Sequence, residues 1–222
     1  MSMNSFSANK VRSFKMEVGG AMNVYGLKPV VTLPIGFSMD VAALPYKDNV
    51  IPAGTPFVYD DLNMVALPHY AFGVQSPVAA AGTTVQVYKG FEGTRAKVGM
   101  VLMALPATFD DVTETGTGVT ITAIDSSDPT YDVLTLSATL GALAQDDILV
   151  EATAAGTSAK IKVLPTATSF ADIPSMGDEE LQLVDLVHQG NVIYTRRIPP
   201  IHPAIRAYMV ANQYIVRFWG GR

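Results

Sequence analysis

The chain has 222 residues, no cysteine and a formal net charge of −5 at pH 7. This length fits one large domain or two small ones and allows a sizeable buried core. The lack of cysteine excludes a disulfide framework, a thiolate metal site and a Cys nucleophile. The negative charge argues against binding to a nucleic acid backbone. We expect neither a signal peptide nor a membrane span, because no apolar run follows a basic start or approaches about 18 residues.

Charged residues are sparse in this chain. They make up 16% of it, whereas hydrophobic residues make up 49%. Soluble domains carry roughly 25% charged residues, so this chain has fewer groups to keep its whole surface in water. One interpretation is that a neighbouring subunit covers part of the surface. The other is a β-rich domain dominated by Ala, Val, Thr and Gly, and composition alone leaves both open.

The charges are divided unevenly along the sequence. Residues 98–159 contain nine of the 20 acidic residues and neither Lys nor Arg. The last 37 residues contain five Arg and no acidic residue. This division predicts a protein with two different surfaces, one for a partner and one for water.

The first 23 residues predict an extended N-terminal arm. They are mostly small and polar, lack helical periodicity, and interleave Lys10, Arg12 and Lys15 with Phe14. We expect an arm that becomes ordered on a partner. A simple frayed terminus is the alternative.

Residues 24–97 predict short β-strands. Six prolines between residues 24 and 70 divide the chain into pieces too short for helices. β-branched and aromatic runs lie between these prolines, and residues 85–88 alternate between apolar and polar side chains. Residues 51–56 have turn chemistry, since Pro presets φ and Gly54 permits a left-handed conformation.

The segment 98–163 has the clearest strand pattern. Two alternating runs flank a polar loop, which predicts a hairpin. Strands at this spacing are typical of a small barrel or sandwich. A single helical turn at 138–144 is an alternative for that stretch. The predicted strands are 98–104, 119–124, 131–137, 148–151 and 159–163.

The C-terminal segment predicts strands and one short helix. A turn and a strand are expected at 189–194, and a last strand at 214–219. Pro203 suits the first position of a helix over 204–211, and Asn212 can close that helix.

Candidate metal ligands are few. His69, His188 and His202 lie far apart without companions at ligand spacing, so ordinary surface or partly buried histidines are expected. The best candidate for a cation is a set of oxygen ligands on one loop, but its spacing does not match a regular Ca²⁺ loop. Turn chemistry is the favoured interpretation for this set, which is Asp125, Asp128 and Asp132.

Catalytic patterns are similarly weak. The acidic pairs 60–61, 110–111 and 146–147 are candidates for a glycosidase dyad, but they lie at strand edges and turns where solvated carboxylates are routine. Gly-Thr-Gly at 116–118 lacks the remaining glycines of a dinucleotide fingerprint. No nucleophile elbow, phosphate-binding loop or His-Glu-x-x-His motif occurs. The sequence therefore predicts no enzyme, no cofactor and no metal.

The candidate partner-binding residues at the C-terminus are arginines interleaved with aromatic residues. Both types are enriched at interface hot spots. For any one residue the alternative is an amphipathic closing element with core aromatics and solvated arginines. For the segment as a whole we expect an interface, formed by Arg196, Arg197, Arg206, Arg217 and Trp219.

Several strings resemble structural proteins of tailed phages. Val-Ile-Pro-Ala-Gly-Thr-Pro-Phe at 50–57 resembles the opening strand of head decoration (cement, or auxiliary capsid) proteins. Gly-Asn-Val-Ile-Tyr at 190–194, followed by Arg-Arg-Ile-Pro-Pro-Ile at 196–201, looks like the closing part of small virion proteins of Bacteroides-type (crAss-like) phages. Residues 98–152 are similar to β-hairpin units of phage structural proteins.

The patterns and the resemblance together predict an all-β fold, mainly β with one short C-terminal helix. The resemblance implies a β-tulip or small-barrel-like unit, and the strand spacing of 98–163 adds a small β-barrel or sandwich to it. The predicted domains are an extended arm at 1–23, a capsid-binding domain at 24–97 and 164–222, and an inserted, outward-facing subdomain at 98–163.

The resemblance implies a non-enzymatic virion protein that stabilises the outer capsid surface by binding major capsid subunits. Such proteins are often trimeric, and an N-terminal arm pairs with the capsid. The partners are then the major capsid protein and further copies of the chain, with no direct nucleic acid and no membrane. The alternative is a carbohydrate- or cell-surface-binding module of a head fibre or its base, which needs solvent-facing aromatics such as Tyr131. A hydrolase is disfavoured by the absent nucleophile–His pairing.

Overall fold

The computed structural model is mostly β with one short helix, which confirms the predicted all-β class. It describes residues 30–32, 37–40, 50–89, 94–170, 172–174, 181–184, 186–194, 198–212 and 216–219. The first strands are β1 (Val30–Thr32), β2 (Phe37–Asp40), β3 (Val50–Ile51), β4 (Pro56–Asp60), β5 (Val65–Pro68), β6 (Ala71–Gly73), β7 (Thr84–Tyr88), β8 (Val101–Leu105) and β9 (Gly116–Asp125). The others are β10 (Tyr131–Leu136), β11 (Ile148–Glu151), β12 (Gly156–Ala159), β13 (Ala167–Ser169), β14 (Ile173–Pro174), β15 (Leu181–Val184), β16 (Leu186–Tyr194) and β17 (Val216–Trp219), with helix α1 (Pro203–Ala211) before β17.

The first sheet combines strands from both ends of the described chain. Its order is β1-β16-β13-β4-β5-β2-β15, with β17 beside β16. β2 pairs with β5, and β16 with β17, in parallel, whereas the remaining pairs are antiparallel. A separate ribbon joins β14 to β3. The sequence before residue 70 and the sequence after residue 166 therefore form one sheet.

The second sheet is a curled Greek key. Its order is β6-β11-β8-β9-β10-β7, with β12 beside β9. β8, β9 and β10 follow one another, and β11 returns beside β8, which is the Greek-key arrangement. An antiparallel bridge between Val74 and Val87 brings the two ends of this strand path together. The predicted hairpin of 119–124 and 131–137 is confirmed as the β9–β10 pair.

Side chains on both faces of the second sheet are buried at β8 and β11. On β8, Leu102 packs in one apolar cluster, whereas Met103 and Leu105 pack in a second. On β11, Leu149 packs in the first cluster and Val150 in the second. The first cluster also contains residues of the first sheet, so one core joins the two sheets. Fully burying a large apolar side chain contributes about 1.5–3 kcal/mol, so this shared core dominates the stability of the fold.

Helix α1 covers the outer face of the second sheet. Its apolar residues Ala204, Ile205 and Tyr208 belong to the second cluster, with Ile201 just before the helix. The predicted helix is confirmed, with Pro203 in its first turn and Asn212 as the C-cap. The N-cap is His202, a residue type outside the usual Ser, Thr, Asp and Asn.

Two local expectations differ from the structure. Residues 138–144 do not form a helical turn, because Leu143 exchanges two backbone hydrogen bonds with Val78 and is held extended. The strand expected at 159–163 lies earlier, as β12, and Ile161 forms only an isolated bridge with Ala152. In both places pairing with a distant strand decides the backbone conformation.

The proposed boundary at residue 98 stays a prediction, and the strand pairing adds a constraint to it. β6 and β7 precede residue 98, yet they form the ends of the second sheet. Val85 and Val87 on β7 lie in the same cluster as Leu134 on β10. Residues 98–163 therefore share their sheet with residues 71–88.

The close approach of β9 to the 154–159 segment requires a glycine at position 118. A Cβ atom there would meet the Ala154 carbonyl oxygen, and Ala159 Cβ at 2.9 Å. Backbone atoms cannot move aside cheaply, so Gly118→Ala should destabilise the protein by about 2 kcal/mol. Urea denaturation measures the change, with Thr117→Ala on the exposed side of β9 as the control. Equal midpoints for the two variants would contradict this packing.

Candidate functional site

A buried ion pair closes the acidic β9–β10 loop. Lys89 Nζ donates to the carbonyl oxygens of Ser126 and Asp128 at 2.9 and 3.1 Å. It also lies 3.1 Å from Oδ1 of Asp132, whose side chain is 1% exposed. The Lys89 ammonium thus contacts three oxygen atoms, two in the β9–β10 loop and one on Asp132 of β10.

The carboxylates of Asp125 and Asp128 organise turns, which confirms the interpretation favoured from the sequence for these two residues. That interpretation is wrong for Asp132, which is buried on β10 beside Lys89. Asp125 Oδ1 accepts from the Ser127 N–H at 3.0 Å. Asp128 Oδ1 accepts from the N–H and the hydroxyl of Thr130 at 2.7 and 2.6 Å. These bonds stabilise the charged form, so they lower the pKa of both carboxyl groups. Among the described residues, no group of three or more His, Asp or Glu is placed to hold a metal ion.

Replacing Lys89 should show how much its ammonium group contributes to the free energy of unfolding. Lys89→Met leaves the Asp132 carboxylate buried without its partner, and we expect a loss of about 3 kcal/mol or more. The double variant Lys89→Met/Asp132→Leu should recover most of that loss, since no charge then remains buried. Chemical denaturation of both variants measures the two values.

The control for this pair is the exposed ion pair of Lys162 with Glu151. Their charged atoms lie 2.6 Å apart, and the Lys162 side chain is half exposed. Such pairs contribute about 0–1 kcal/mol, so Lys162→Met should have little effect. A Lys89→Met protein as stable as Lys162→Met would contradict the buried role of Lys89.

One end of the second sheet is acidic. The antiparallel strand order places the loops 74–83, 106–115 and 137–147 at the same end. These loops contain five acidic residues and neither Lys nor Arg. Four of the five side chains are exposed, namely Asp110, Asp111, Glu114 and Asp146. The acidic residues of these loops therefore lie together at one end of the second sheet, which we call the acidic end.

The acidic pairs considered as catalytic dyads have turn roles at several positions. Asp111 Oδ1 accepts from the N–H and hydroxyl of Thr113, at 2.8 and 2.7 Å. Asp147 Oδ2 accepts from the Ala144 N–H at 2.8 Å. Hydrogen bonds from Thr113 lower the pKa of Asp111. A general acid needs a raised pKa instead, so these contacts favour a structural role.

A rigid turn at the tip of the β4–β5 hairpin presents an exposed leucine. Asp60 accepts hydrogen bonds from the N–H groups of Leu62 and Asn63, and from the Asn63 side chain at 2.7 Å. These bonds, led by that of the Asn63 side chain, lower the pKa of Asp60. Leu62 is 91% exposed, the most exposed large apolar side chain among the described residues. An ordered turn loses little entropy on binding, so Leu62 is a candidate anchor that the sequence reasoning missed.

The structure places only part of the predicted binding set. Lys10, Arg12, Phe14, Lys15, Arg196 and Arg197 lie outside the described residues. Arg217 and Trp219 lie on β17, which pairs with β16. Arg206 is half-buried on α1, and this burial lowers the pKa of its guanidinium. The predicted interface at these residues stays a prediction.

Two of the three histidines are buried and structural. His202 Nδ1 accepts from the Ala204 N–H at 3.2 Å, and its Nε2 lies 3.0 Å from the Pro106 carbonyl oxygen. Because a carbonyl only accepts, Nε2 carries the hydrogen in this arrangement. Burial lowers the pKa of His202. His202 therefore joins the start of α1 to the loop after β8.

Comparisons with protein-family models, with curated proteins and with solved structures found no match to this chain. Within the described residues no helix is long and apolar enough to cross a membrane.

Proposed function

We propose that this protein is a non-enzymatic virion component that decorates the outer surface of a phage capsid and stabilises it by binding major capsid subunits. The observation that carries this proposal is the separation of charge. The acidic end has no Lys or Arg, whereas basic residues are concentrated in the N-terminal arm and in the last 37 residues. A protein divided in this way can face a partner with one side and water with the other.

In this mechanism the basic ends lie across neighbouring capsid subunits, and the acidic end faces outward. Each contact is weak on its own. Repetition by capsid symmetry, and association of the chain into an oligomer for which we favour a trimer, turns many weak contacts into high avidity. The low charged fraction of the chain supports a surface that is partly covered in the assembly.

The Leu62 turn supplies an apolar contact of the kind that such a mechanism needs. Leu67 on β5 is 42% exposed, and Val58 lies directly opposite it on β4. The outer face of this hairpin therefore carries a cross-strand apolar pair at its middle, and the exposed Asp60 separates this pair from Leu62 at the tip. A capsid surface with an apolar pocket would bury these side chains and gain about 25 cal/mol for each Å² removed from water.

Deleting residues 1–23 tests the arm directly. We expect the truncated protein to keep its fold, because residues 1–23 are mostly small and polar and offer little apolar surface to bury, and to lose most of its binding to capsids. Cosedimentation with capsids of the parent phage that lack this protein measures binding, and circular dichroism checks the fold. Full binding by the truncated protein would remove the arm from the mechanism, and failure of the full chain to bind would remove the proposed function.

Replacing the exposed leucine tests the hairpin. Leu62→Ser should leave the stability within about 0.5 kcal/mol, because the side chain is exposed. It should weaken capsid binding about tenfold or more if Leu62 is an anchor, since hot-spot residues contribute 2 kcal/mol or more. Val98→Ser is the matched control, because Val98 is also exposed, at 55%, but lies in the loop before β8. Equal binding by both variants would exclude the Leu62 turn from the interface.

A further inference from the structure

The chain crosses between the two sheets twice, and both crossings are short. The outward crossing consists of His69 and Tyr70, between β5 and β6. The return crossing occupies residues 162–166, before β13. Both are tied to β4, because Pro56 accepts from the His69 N–H at 2.8 Å and Phe57 accepts from the Thr166 N–H at 2.7 Å.

One side-chain hydrogen bond joins the two crossings to each other. His69 Nδ1 lies 2.7 Å from the carbonyl oxygen of Val163. Because the carbonyl can only accept, Nδ1 carries the hydrogen, and the neutral ring has its free electron pair on Nε2. His69 is 3% exposed, and Nε2 is buried without a hydrogen-bond partner among the described residues.

Among the described residues, no charged group is placed to stabilise a protonated His69 ring. β4 carries its charged residue, Asp60, at the far end of the strand from Pro56. Lys162, at the start of the return crossing, pairs at 2.6 Å with Glu151, whose N–H donates to the Tyr70 carbonyl of the outward crossing. Burial therefore lowers the pKa of His69 to about 4, against a smaller opposing effect of the Val163 hydrogen bond.

We propose that His69 is an acid-sensitive latch that holds the two crossings together, and that its protonation opens the junction between the sheets locally, before the rest of the fold unfolds. A proton from solvent adds to Nε2, while Nδ1 keeps its hydrogen. The new N–H has no acceptor, and a positive charge would lie buried without a partner. Opening lets the imidazolium reach water, so acid favours the open junction. This inference does not depend on the proposed capsid role.

The direction of the pH effect follows from the two pKa values. The closed junction holds His69 with a pKa near 4, whereas an open junction restores the ordinary value of 6.5. The open form therefore takes up the proton first as the pH falls. Above pH 6.5 the neutral His69 ring contributes its full stabilisation of the closed form. This stabilisation decreases as the pH falls from 6.5 to about 4, and below pH 4 it changes little. Over that range the opening equilibrium should rise about 100-fold.

Hydrogen–deuterium exchange at pH 7 to 4, corrected for the intrinsic exchange rate at each pH, tests the latch. Thr166 is the amide to follow, because it is the last residue of the return crossing and its N–H donates to the Phe57 carbonyl. We expect its protection to fall about 100-fold in the wild-type protein. His69→Asn keeps a donor near Val163 but does not titrate, so this fall should disappear. His202→Asn removes the other described buried histidine and keeps a good N-cap residue, so it is the matched control and should behave like the wild type.

Two results would overturn the proposal. One is an equal loss of Thr166 protection in the His69→Asn protein, and the other is equal loss across β8, β9 and β10, which means global unfolding instead of local opening. If His69→Asn fails to fold, an NMR titration of the His69 ring in the wild-type protein decides. A measured pKa of 6 or above would show that burial does not keep the ring neutral, and a value near 4 would support the latch.

Discussion

The burial of β8 and β11 on both faces of the second sheet is the constraint on which the rest of the molecule depends. Successive side chains of a strand point to opposite faces of the sheet. Because β8 and β11 carry large apolar side chains on both faces, each of them must be covered on two sides. The curl of the sheet and the residues of the first sheet cover one face. Helix α1, which lies near the end of the sequence, covers the other. The C-terminal segment is therefore part of the core of the middle segment and not an independent tail.

This arrangement also decides where charge can lie. Asp132 belongs to the alternating run of β10, and its position facing the core would be costly without a cation. Lys89 supplies that cation and at the same time donates to two carbonyl groups of the β9–β10 loop. The remaining carboxylates around it cap turns. The acidic end is a consequence of strand order, because the antiparallel pairing brings the three loops with exposed acidic residues to the same end of the sheet.

Part of the fold and of the site could be predicted from the sequence. Particular residues show that local roles were predictable and that contacts between distant segments were not. The turn roles of Asp125 and Asp128 follow from side chains that bond neighbouring amides, so a local pattern is sufficient. The role of Lys89 is not local, since its partner is 43 residues away in the chain. His69 looked like an isolated histidine because its partner, Val163, is a backbone carbonyl that no residue pattern reveals. The exposure of Leu62 was missed because no sequence pattern shows whether a leucine in a turn points to solvent or into the core.

What the sequence determined by itself is the local chemistry: the all-β class, the β9–β10 hairpin, the helix that starts at Pro203, and the separation of acidic from basic segments. Each of these depends on residues a few positions apart, where periodicity, proline and turn propensity act directly. Tertiary structure alone decided the strand order, the membership of β6 and β7 in the second sheet, and the extended conformation at 138–144. Those features depend on pairing between distant segments, and the free energy of burying a shared core outweighs local preference there.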